Sequence, residues 1–257
     1  MNEFIEEGWR AILEHNELGS FEALWNLQAD WFEAPNQRRG GWSGVSRIQL
    51  PTPAGGEETL FLKRQENHTR KTWRHPFSGE PTFRGEARNL RRLNRGGVAA
   101  PQMVYYAEKQ SPGGWRVILA TRELHGYLPL DRLVQYWRDQ GWAGFRVQRR
   151  KIIPRVAEVI RKLHERRLAH NALHAKHVFI DERSGAACLI DLEKMRRRMR
   201  RRKAVLRDLD SFNRRTAVIS RTDRLRFLLA YLQREKVDAE VRALWRQLVA
   251  LEKRKSQ

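Results

Sequence analysis

The sequence predicts an α+β protein of two lobes, with a strand-rich first half and a helical second half. Short runs rich in β-branched and aromatic residues, separated by Pro/Gly turns, occupy the chain from residue 40 to residue 121. Beyond Gly126, apolar residues recur mostly at helical spacing. We therefore predict a helical extension over residues 1–37, a strand-rich lobe over 38–125 and a helical lobe over 126–257, with a cleft between the lobes.

The extension carries apolar residues at helical spacing as far as Trp31 and Phe32, and Pro35-Asn36 then ends the pattern. This spacing predicts one or two amphipathic helices. They either pack on the body of the protein as part of its core or lie on a membrane surface.

The strand-rich lobe is predicted to hold a hairpin, a helix and two further strands. The hairpin turn is the Pro/Gly-rich segment 51–56, and Gly96-Gly97 ends the helix. The predicted strands are residues 45–50, 59–63, 104–107 and 116–121, and the predicted helix is residues 84–93. In the second lobe we predict helices over 129–137, 145–166 and 221–253, interrupted by β-type runs at 177–180 and 187–190.

The charge of the chain restricts its partners. The 257 residues contain 51 Lys and Arg against 30 Asp and Glu, which gives a formal net charge of +21. Internal ion pairs do not neutralise an excess of this size, so the surface is predicted to be basic. Such a surface attracts nucleic acid, acidic lipid headgroups, phosphorylated glycans or acidic proteins.

The cysteine count and the hydropathy pattern bear on location. Cys188 is the one cysteine, which excludes an internal disulfide framework and a cysteine-only zinc site and is typical of a reducing compartment. The chain shows no secretion-signal pattern at its start and no stretch of about 20 apolar residues. We expect a cytoplasmic protein without a transmembrane segment, whose membrane contact, if any, is peripheral.

Five residues of the first lobe suggest a phosphate site. Gly40, Gly41 and Gly44 precede a predicted strand, where backbone without side chains can approach phosphates closely. Lys63 ends the partner strand, and Glu86 on the next helix is placed to pair with it. Individually these are ordinary turn glycines and solvated charges; their order along the chain favours the functional interpretation.

The second lobe offers a metal site. Asp191 ends the apolar run 187–190, where a carboxylate is costly unless it meets a cation, and this position suits a magnesium ligand; capping of a turn is the alternative. His170, His174 and His177 lie within eight residues. Zinc binding is disfavoured because no cysteine or carboxylate completes a site of usual spacing, and structural histidines are the more ordinary interpretation.

Together these segments resemble a known family. The segment 74–86, the motif Gly97-Val98-Ala99-Ala100-Pro101, the loop 170–179 and the motif 190–194 occur in the order found in the lipopolysaccharide kinase family (Kdo/WaaP-like), and within it the InaA-like branch. The similarity covers roughly residues 38–215. It implies a protein-kinase-like fold and phosphorylation of an inner-core sugar, heptose or Kdo, with ATP and magnesium at the cytoplasmic face of the inner membrane.

The resemblance also implies residue roles. Lys63 would bind phosphate, Glu86 would orient it, and Asp191 and His177 would hold magnesium. His170 would begin a catalytic loop of the form His-x-Asp, but Ala172 stands where the aspartate base is expected. An enzyme in which His170 or His174 takes over as base, and a pseudokinase that acts as a binding or regulatory module, both remain open.

A basic run follows Asp191, at the acceptor side of the active site in a kinase fold. It spans residues 194–203 and includes Arg196, Arg197, Arg198, Arg200, Arg201 and Arg202. Charge runs are usually solvated faces, but at this location the run favours an anionic lipopolysaccharide core or a membrane surface. Nucleic acid is disfavoured because aromatic residues do not interleave the run.

Overall fold

The chain divides into two units, each described here by itself. The computed structural model describes residues 3–38, 40–72, 75–199, 201–215 and 219–256. One unit comprises Met1–Arg92 with Pro101–Leu124, and the other comprises Leu93–Ala100 with His125–Gln257. The first unit is rich in strands and the second is mostly helical, so the predicted α+β class is confirmed. The separation of a helical extension at residue 37 stays a prediction.

A six-stranded antiparallel sheet forms the first unit, in the order β1-β7-β8-β4-β3-β2. The elements up to β8 are β1 (Glu3–Ile5), α1 (Glu7–His15), α2 (Phe21–Asn26), β2 (Trp31–Arg38), β3 (Gly41–Pro51), β4 (Glu57–Glu66), β5 (Thr69–Thr72), β6 (His75–Pro81), α3 (Thr82–Arg95), β7 (Met103–Ser111) and β8 (Gly114–Arg122). The predicted hairpin, helix and strands of this region are all present, and most are longer than predicted.

The first two helices pack on this sheet. Trp9, Leu13 and Leu24 are buried in one core with Leu60 and Ile118 of the sheet. Burial of apolar side chains of this size stabilises by about 1.5–3 kcal/mol each. Of the two alternatives for the N-terminal helices, packing as core is therefore the observed one.

The prediction that helical structure continues to residue 34 and ends at Pro35-Asn36 is wrong, because residues 31–38 form strand β2. β2 is an edge strand, and its pairing with β3 shifts register between Glu33 and Asn36. Proline lacks an N–H donor, and edge strands and bulges are the places where a sheet tolerates this. The apolar residues Trp31 and Phe32 thus belong to a different periodicity from the helices before them.

The hairpin of β5 and β6 was not predicted from its polar, Pro/Gly-rich sequence. Buried Glu80 of β6 stabilises it by accepting hydrogen bonds from Arg70 of β5 and Arg88 of α3. A buried carboxylate is tolerated when cations satisfy it.

The second unit contains five helices in its described part. Its elements are β9 (Tyr127–Pro129), α4 (Leu130–Asp139), a 3-10 turn (Trp142–Phe145), α5 (Arg146–Glu165), β10 (Leu168–Ala169), a 3-10 turn (Ala175–His177), β11 (Val178–Asp181), β12 (Ala187–Leu189), β13 (Arg196–Arg197), α6 (Arg201–Arg215), α7 (Arg221–Leu232) and α8 (Ala239–Ser256). Strands β12, β11 and β9 form one small sheet, and β10 pairs with β13. No helix among the described residues is long and apolar enough to span a membrane.

Two features of this unit differ from the prediction. The predicted C-terminal helical stretch is divided into α7 and α8, because Gln233 adopts a left-handed conformation that ends α7. Helix α6 was not predicted, and it begins inside the basic run. Its first turn is made of cations, so the apolar spacing that signals a helix starts only at Ala204.

Candidate functional site

The glycines expected at a phosphate loop lie at the β2–β3 turn and within β3. Gly40 has φ +79°, a backbone conformation that side chains rarely adopt. A Cβ on Gly41 would lie 2.1 Å from the Glu66 carbonyl oxygen, and one on Gly44 would lie 2.6 Å from the Trp31 ring. The strand begins at Gly41, so the expectation that all three precede it is wrong. Each glycine has a local structural reason, and phosphate binding at this turn stays a prediction.

Lys63 and Glu86 form an ion pair inside the first unit. Lys63 lies on β4 between β3 and β8, and its Nζ donates to Glu86 Oε1 at 2.6 Å. Glu86 is buried on α3, where its carboxylate is stable only with a cation beside it. The pair expected from the order of the motifs is thus present, and the ammonium is held in a fixed position.

Gln65 positions the helix that carries Glu86. Its side-chain oxygen accepts hydrogen bonds from the backbone N–H of Phe83 and the hydroxyl of Thr82, both at 2.9 Å. These groups belong to the first turn of α3, whose N–H groups have no partner within the helix. The completely buried Gln65 therefore fixes α3 to β4, two residues from Lys63. Sequence reasoning missed it because a glutamine in a strand carries no distinctive signal.

Asp208 of α6 organises the loop that begins at His170. Its carboxylate accepts the backbone N–H groups of His170 at 2.6 Å and Asn171 at 2.9 Å. His164 Nε2 lies 3.2 Å from the same carboxylate, and His164 Nδ1 bonds to the Tyr231 hydroxyl at 2.8 Å. Asp208 is completely buried, and these contacts give it the partners that a buried carboxylate needs. This positioning residue was not predicted; the available signal was a pair of acidic residues, Asp208 and Asp210, between the apolar residues of α6.

His170 is braced rather than presented to solvent. Its Nε2 donates to the Ile190 carbonyl oxygen at 2.9 Å, and its side chain is completely buried. Burial disfavours the charged imidazolium and lowers the pKa of His170. These are the contacts of a group that ties the loop to the segment before Asp191; a catalytic role for His170 stays a prediction.

His177 and Asp191 face each other in the second unit. His177 Nε2 lies 3.3 Å from Asp191 Oδ2, and His177 Nδ1 donates to the Ala172 carbonyl oxygen at 2.8 Å. A neutral His177 therefore carries its proton on Nδ1, which leaves the Nε2 lone pair directed at a carboxylate. Two electron-rich groups at this separation are stabilised by a proton or a cation between them.

The donor set at this pair suits magnesium at Asp191. Magnesium is usually held by one or two carboxylates, with phosphate and water completing its shell, and Asp191 is partly exposed to provide such a ligand. The nitrogen of His177 is the weaker magnesium ligand of the two, because imidazole suits softer metals. The described part of the chain contains no cluster of three His, Cys, Asp or Glu side chains that could hold a metal. His174 instead stacks on His177, with ring centroids 5.2 Å apart.

Ala172 contributes a backbone group and no titratable side chain. It is buried, and its carbonyl accepts the proton of His177. The loop is thus ordered by Asp208 and His177 although an alanine stands where a carboxylate base was expected.

Some residues of the basic run form contacts within the protein. Strand β13 pairs with β10, and Arg196 donates to the carbonyl oxygens of Glu193 and Met195. Arg198 donates to the side-chain oxygen of Asn171 at 3.0 Å, which joins the run to the His170 loop. Arg197 and Arg202 are exposed. Arg200 and the side chain of Arg201 lie outside the described residues.

Almost the whole length of this chain resembles a solved structure. The structure, described as WaaP in complex with acyl carrier protein, has a TM-score of 0.70 at 24% sequence identity and matches 99% of this chain and 98% of that one. With the lysine–glutamate pair of the strand-rich unit and the aspartate-organised loop of the helical unit, this similarity defines a protein-kinase-like fold. The model of the lipopolysaccharide kinase (Kdo/WaaP) family matches residues 22–231, and the chain belongs to this family.

A curated relative supports the same assignment. The chain is 30% identical to Protein InaA of Escherichia coli (strain K12) over 194 residues, which cover 73% of this chain and 84% of InaA. The family predicted from the sequence is therefore confirmed.

Proposed function

We propose that this protein is an ATP-dependent kinase that phosphorylates a sugar, heptose or Kdo, of the lipopolysaccharide inner core. The observation that carries the proposal is the Lys63–Glu86 ion pair at 2.6 Å, within a chain of this kinase family. A lysine fixed by a buried glutamate is the arrangement that phosphoryl transfer uses to place positive charge on the triphosphate.

Each proposed nucleotide role belongs to a particular residue. Lys63, oriented by Glu86, neutralises phosphate charge, and the backbone at Gly40 in the turn and at Gly41 and Gly44 in β3 covers the phosphates. Asp191 binds magnesium, with His177 beside it. When bound, the metal supplies charge neutralisation at the transferred phosphoryl group. The protein itself supplies position, through Gln65 and Asp208.

Nucleotide binding tests these roles. Lys63→Met and Asp191→Asn should each weaken Mg-ATP binding at least tenfold, since each removes a charge that faces the triphosphate or its metal. Isothermal titration calorimetry on folded variants measures this effect. Lys109→Met is the matched control, because Lys109 also pairs with a glutamate, Glu22, but on an exposed surface. Unchanged affinity in both site variants, or no nucleotide binding by the wild type, would contradict the proposed roles.

The acceptor is proposed to meet the basic run. Exposed Arg197 and Arg202 suit the carboxylate of Kdo or the phosphates of an inner core, and the protein would work in the cytoplasm at the periphery of the inner membrane. Arg197→Gln with Arg202→Gln should raise the KM for core oligosaccharide and reduce its salt dependence, while the Kd for Mg-ATP stays unchanged. Equal KM values for variant and wild type would place the acceptor elsewhere.

Two further possibilities follow from particular observations. Ala172, in place of the base, favours a pseudokinase that keeps Mg-ATP binding and acts as a binding or regulatory module in envelope biogenesis. Measurable nucleotide binding without phosphoryl transfer would favour the pseudokinase.

The net charge of +21 also suits an acidic partner, and the acyl carrier protein seen with WaaP is a second candidate partner for this chain.

A further inference from the structure

We propose that the connection between α4 and α5 is a contact surface for an anionic lipid bilayer. The surface consists of Tyr136 and Arg138 on α4, the 3-10 turn Trp142–Phe145, and the exposed residues Arg146, Val147 and Arg150 at the start of α5. It lies within the second unit and is separate from the basic run that follows Asp191. The inference does not depend on the proposed kinase activity.

Two exposed apolar side chains, Tyr136 and Val147, lie on this surface. Val147 is 76% exposed and Tyr136 is 54% exposed, although both are large enough to favour burial. The Tyr136 ring lies 5.5 Å from the Phe145 ring, and Phe145 is two residues from Val147. Single exposed apolar residues are ordinary, but neighbouring ones mark interaction sites.

Exposed cations flank the apolar residues along the chain. Arg138, Arg146 and Arg150 are exposed, and none of them forms an ion pair with a carboxylate of the described residues. Acidic residues near this surface are fewer than the arginines. One of them, Asp139, accepts a hydrogen bond from Gln135. The surface therefore carries unneutralised positive charge next to exposed aromatic and aliphatic groups.

The 3-10 turn is held in place by a buried arginine. Arg149 is buried, pairs with Asp223 of α7 at 2.9 Å and stacks on Trp142 at 4.2 Å from its ring centroid. Its guanidinium also donates to the Trp142 carbonyl oxygen. The apolar groups are thus presented on a supported turn, which lowers the entropy cost of binding.

A bilayer fits the combination of exposed apolar groups and cations at this surface, and it does not fit the exposed apolar residues of β2. Tyrosine and tryptophan favour the headgroup level of membranes, and arginines contact anionic headgroups. The exposed pair Trp31 and Phe32 on β2 instead lies between Asp30 and Glu33, which an anionic surface repels. The helices of residues 7–26 are no anchor, because their apolar faces belong to the core of the first unit.

Vesicle partition of the full chain, measured without nucleotide, tests the proposal. Val147→Glu should lower partition into phosphatidylglycerol-containing vesicles about tenfold, and an acid in the first turn of α5 does not destabilise the helix. Val237→Glu, the same change at an exposed valine before α8, should lower it far less. Arg146→Gln with Arg150→Gln should lower it about fivefold for each charge. Equal losses in Val147→Glu and Val237→Glu, or no loss in either, would overturn the proposal.

A site-specific probe separates this surface from others. Cys188 is buried, and burial raises its pKa to about 12, so a thiol reagent at pH 7.5 labels an introduced cysteine instead. An environment-sensitive fluorophore on Val147→Cys should shift to the blue with anionic vesicles, and one on Val237→Cys should not. Vesicle binding without a shift at position 147 would overturn the assignment. So would unchanged vesicle partition of the Val147→Glu variant together with lost binding to acyl carrier protein, which would make the surface a protein contact.

Discussion

At the residue scale, Ala172 lies in a loop that is held by hydrogen bonds but stands where a catalytic carboxylate was expected. Three backbone groups of the loop around it are hydrogen-bonded: Asp208 accepts two N–H groups, and His177 donates to the Ala172 carbonyl. Ala172 itself has no side chain that could accept a proton from an acceptor hydroxyl. General-base assistance supplies about 10²- to 10⁴-fold, whereas positioning and charge stabilisation carry most of phosphoryl transfer. We therefore expect a slow enzyme with an ordered site.

Restoring the carboxylate is the direct test of this point. Ala172→Asp should raise the single-turnover rate of phosphoryl transfer by up to about 10²-fold, because it provides the missing base on a loop that is already held. Ala172→Asn is the matched control, since it has the same size and does not accept the proton. If the wild type transfers phosphate at ordinary kinase rates and Ala172→Asp slows it, the chemistry uses another base, and Ala172 does not occupy the position of the catalytic aspartate.

At the element scale, helix α6 is one of the elements that hold the loop. Asp208 is the point where the helix and the loop meet, and its removal leaves the N–H groups of His170 and Asn171 without an acceptor. Each unsatisfied buried donor costs about 1–3 kcal/mol.

Asp208→Ala should accordingly lower the free energy of unfolding by about 2–5 kcal/mol. Urea denaturation followed by circular dichroism measures this loss. Asp139→Ala, on the exposed side of α4, should change the free energy by less than about 0.5 kcal/mol. A similar small change in Asp208→Ala would show that the loop is stabilised by other contacts.

The elements that sequence analysis predicted well are those with regular patterns. Strands β3 and β4 alternate apolar residues around a clear Pro/Gly turn, and α5 has a long apolar stripe. Strand β2 was missed because Pro35 and a register shift mask its alternation, and α6 because cations fill its first turn. The site shows the same division: Lys63 and Glu86 were found from the order of the motifs. Asp208 and Gln65 were not found from the sequence. Asp208 binds backbone amides of His170 and Asn171, and Gln65 binds the backbone amide of Phe83, so each acts on an element distant in the chain.

At the scale of the whole molecule, the excess of positive charge gives the protein a general attraction to anionic surfaces. It does not distinguish the acceptor glycan, an acidic protein and a bilayer, because all three are anionic. The local surroundings of the cations distinguish these partners. The exposed arginines after Asp191 suit a glycan, and the aromatic and cationic groups between α4 and α5 suit a bilayer. A protein that contacts the membrane through one surface and the acceptor through another would work on a membrane-bound glycolipid.

Transfer of labelled γ-phosphate from Mg-ATP to purified inner-core oligosaccharide tests the central claim most directly. We expect slow labelling of a core sugar by the wild type, faster labelling by Ala172→Asp, and none by Lys63→Met. Absence of labelled sugar with both the wild type and Ala172→Asp, or equal labelling by Lys63→Met, would contradict the assignment of this chain as a core-sugar kinase.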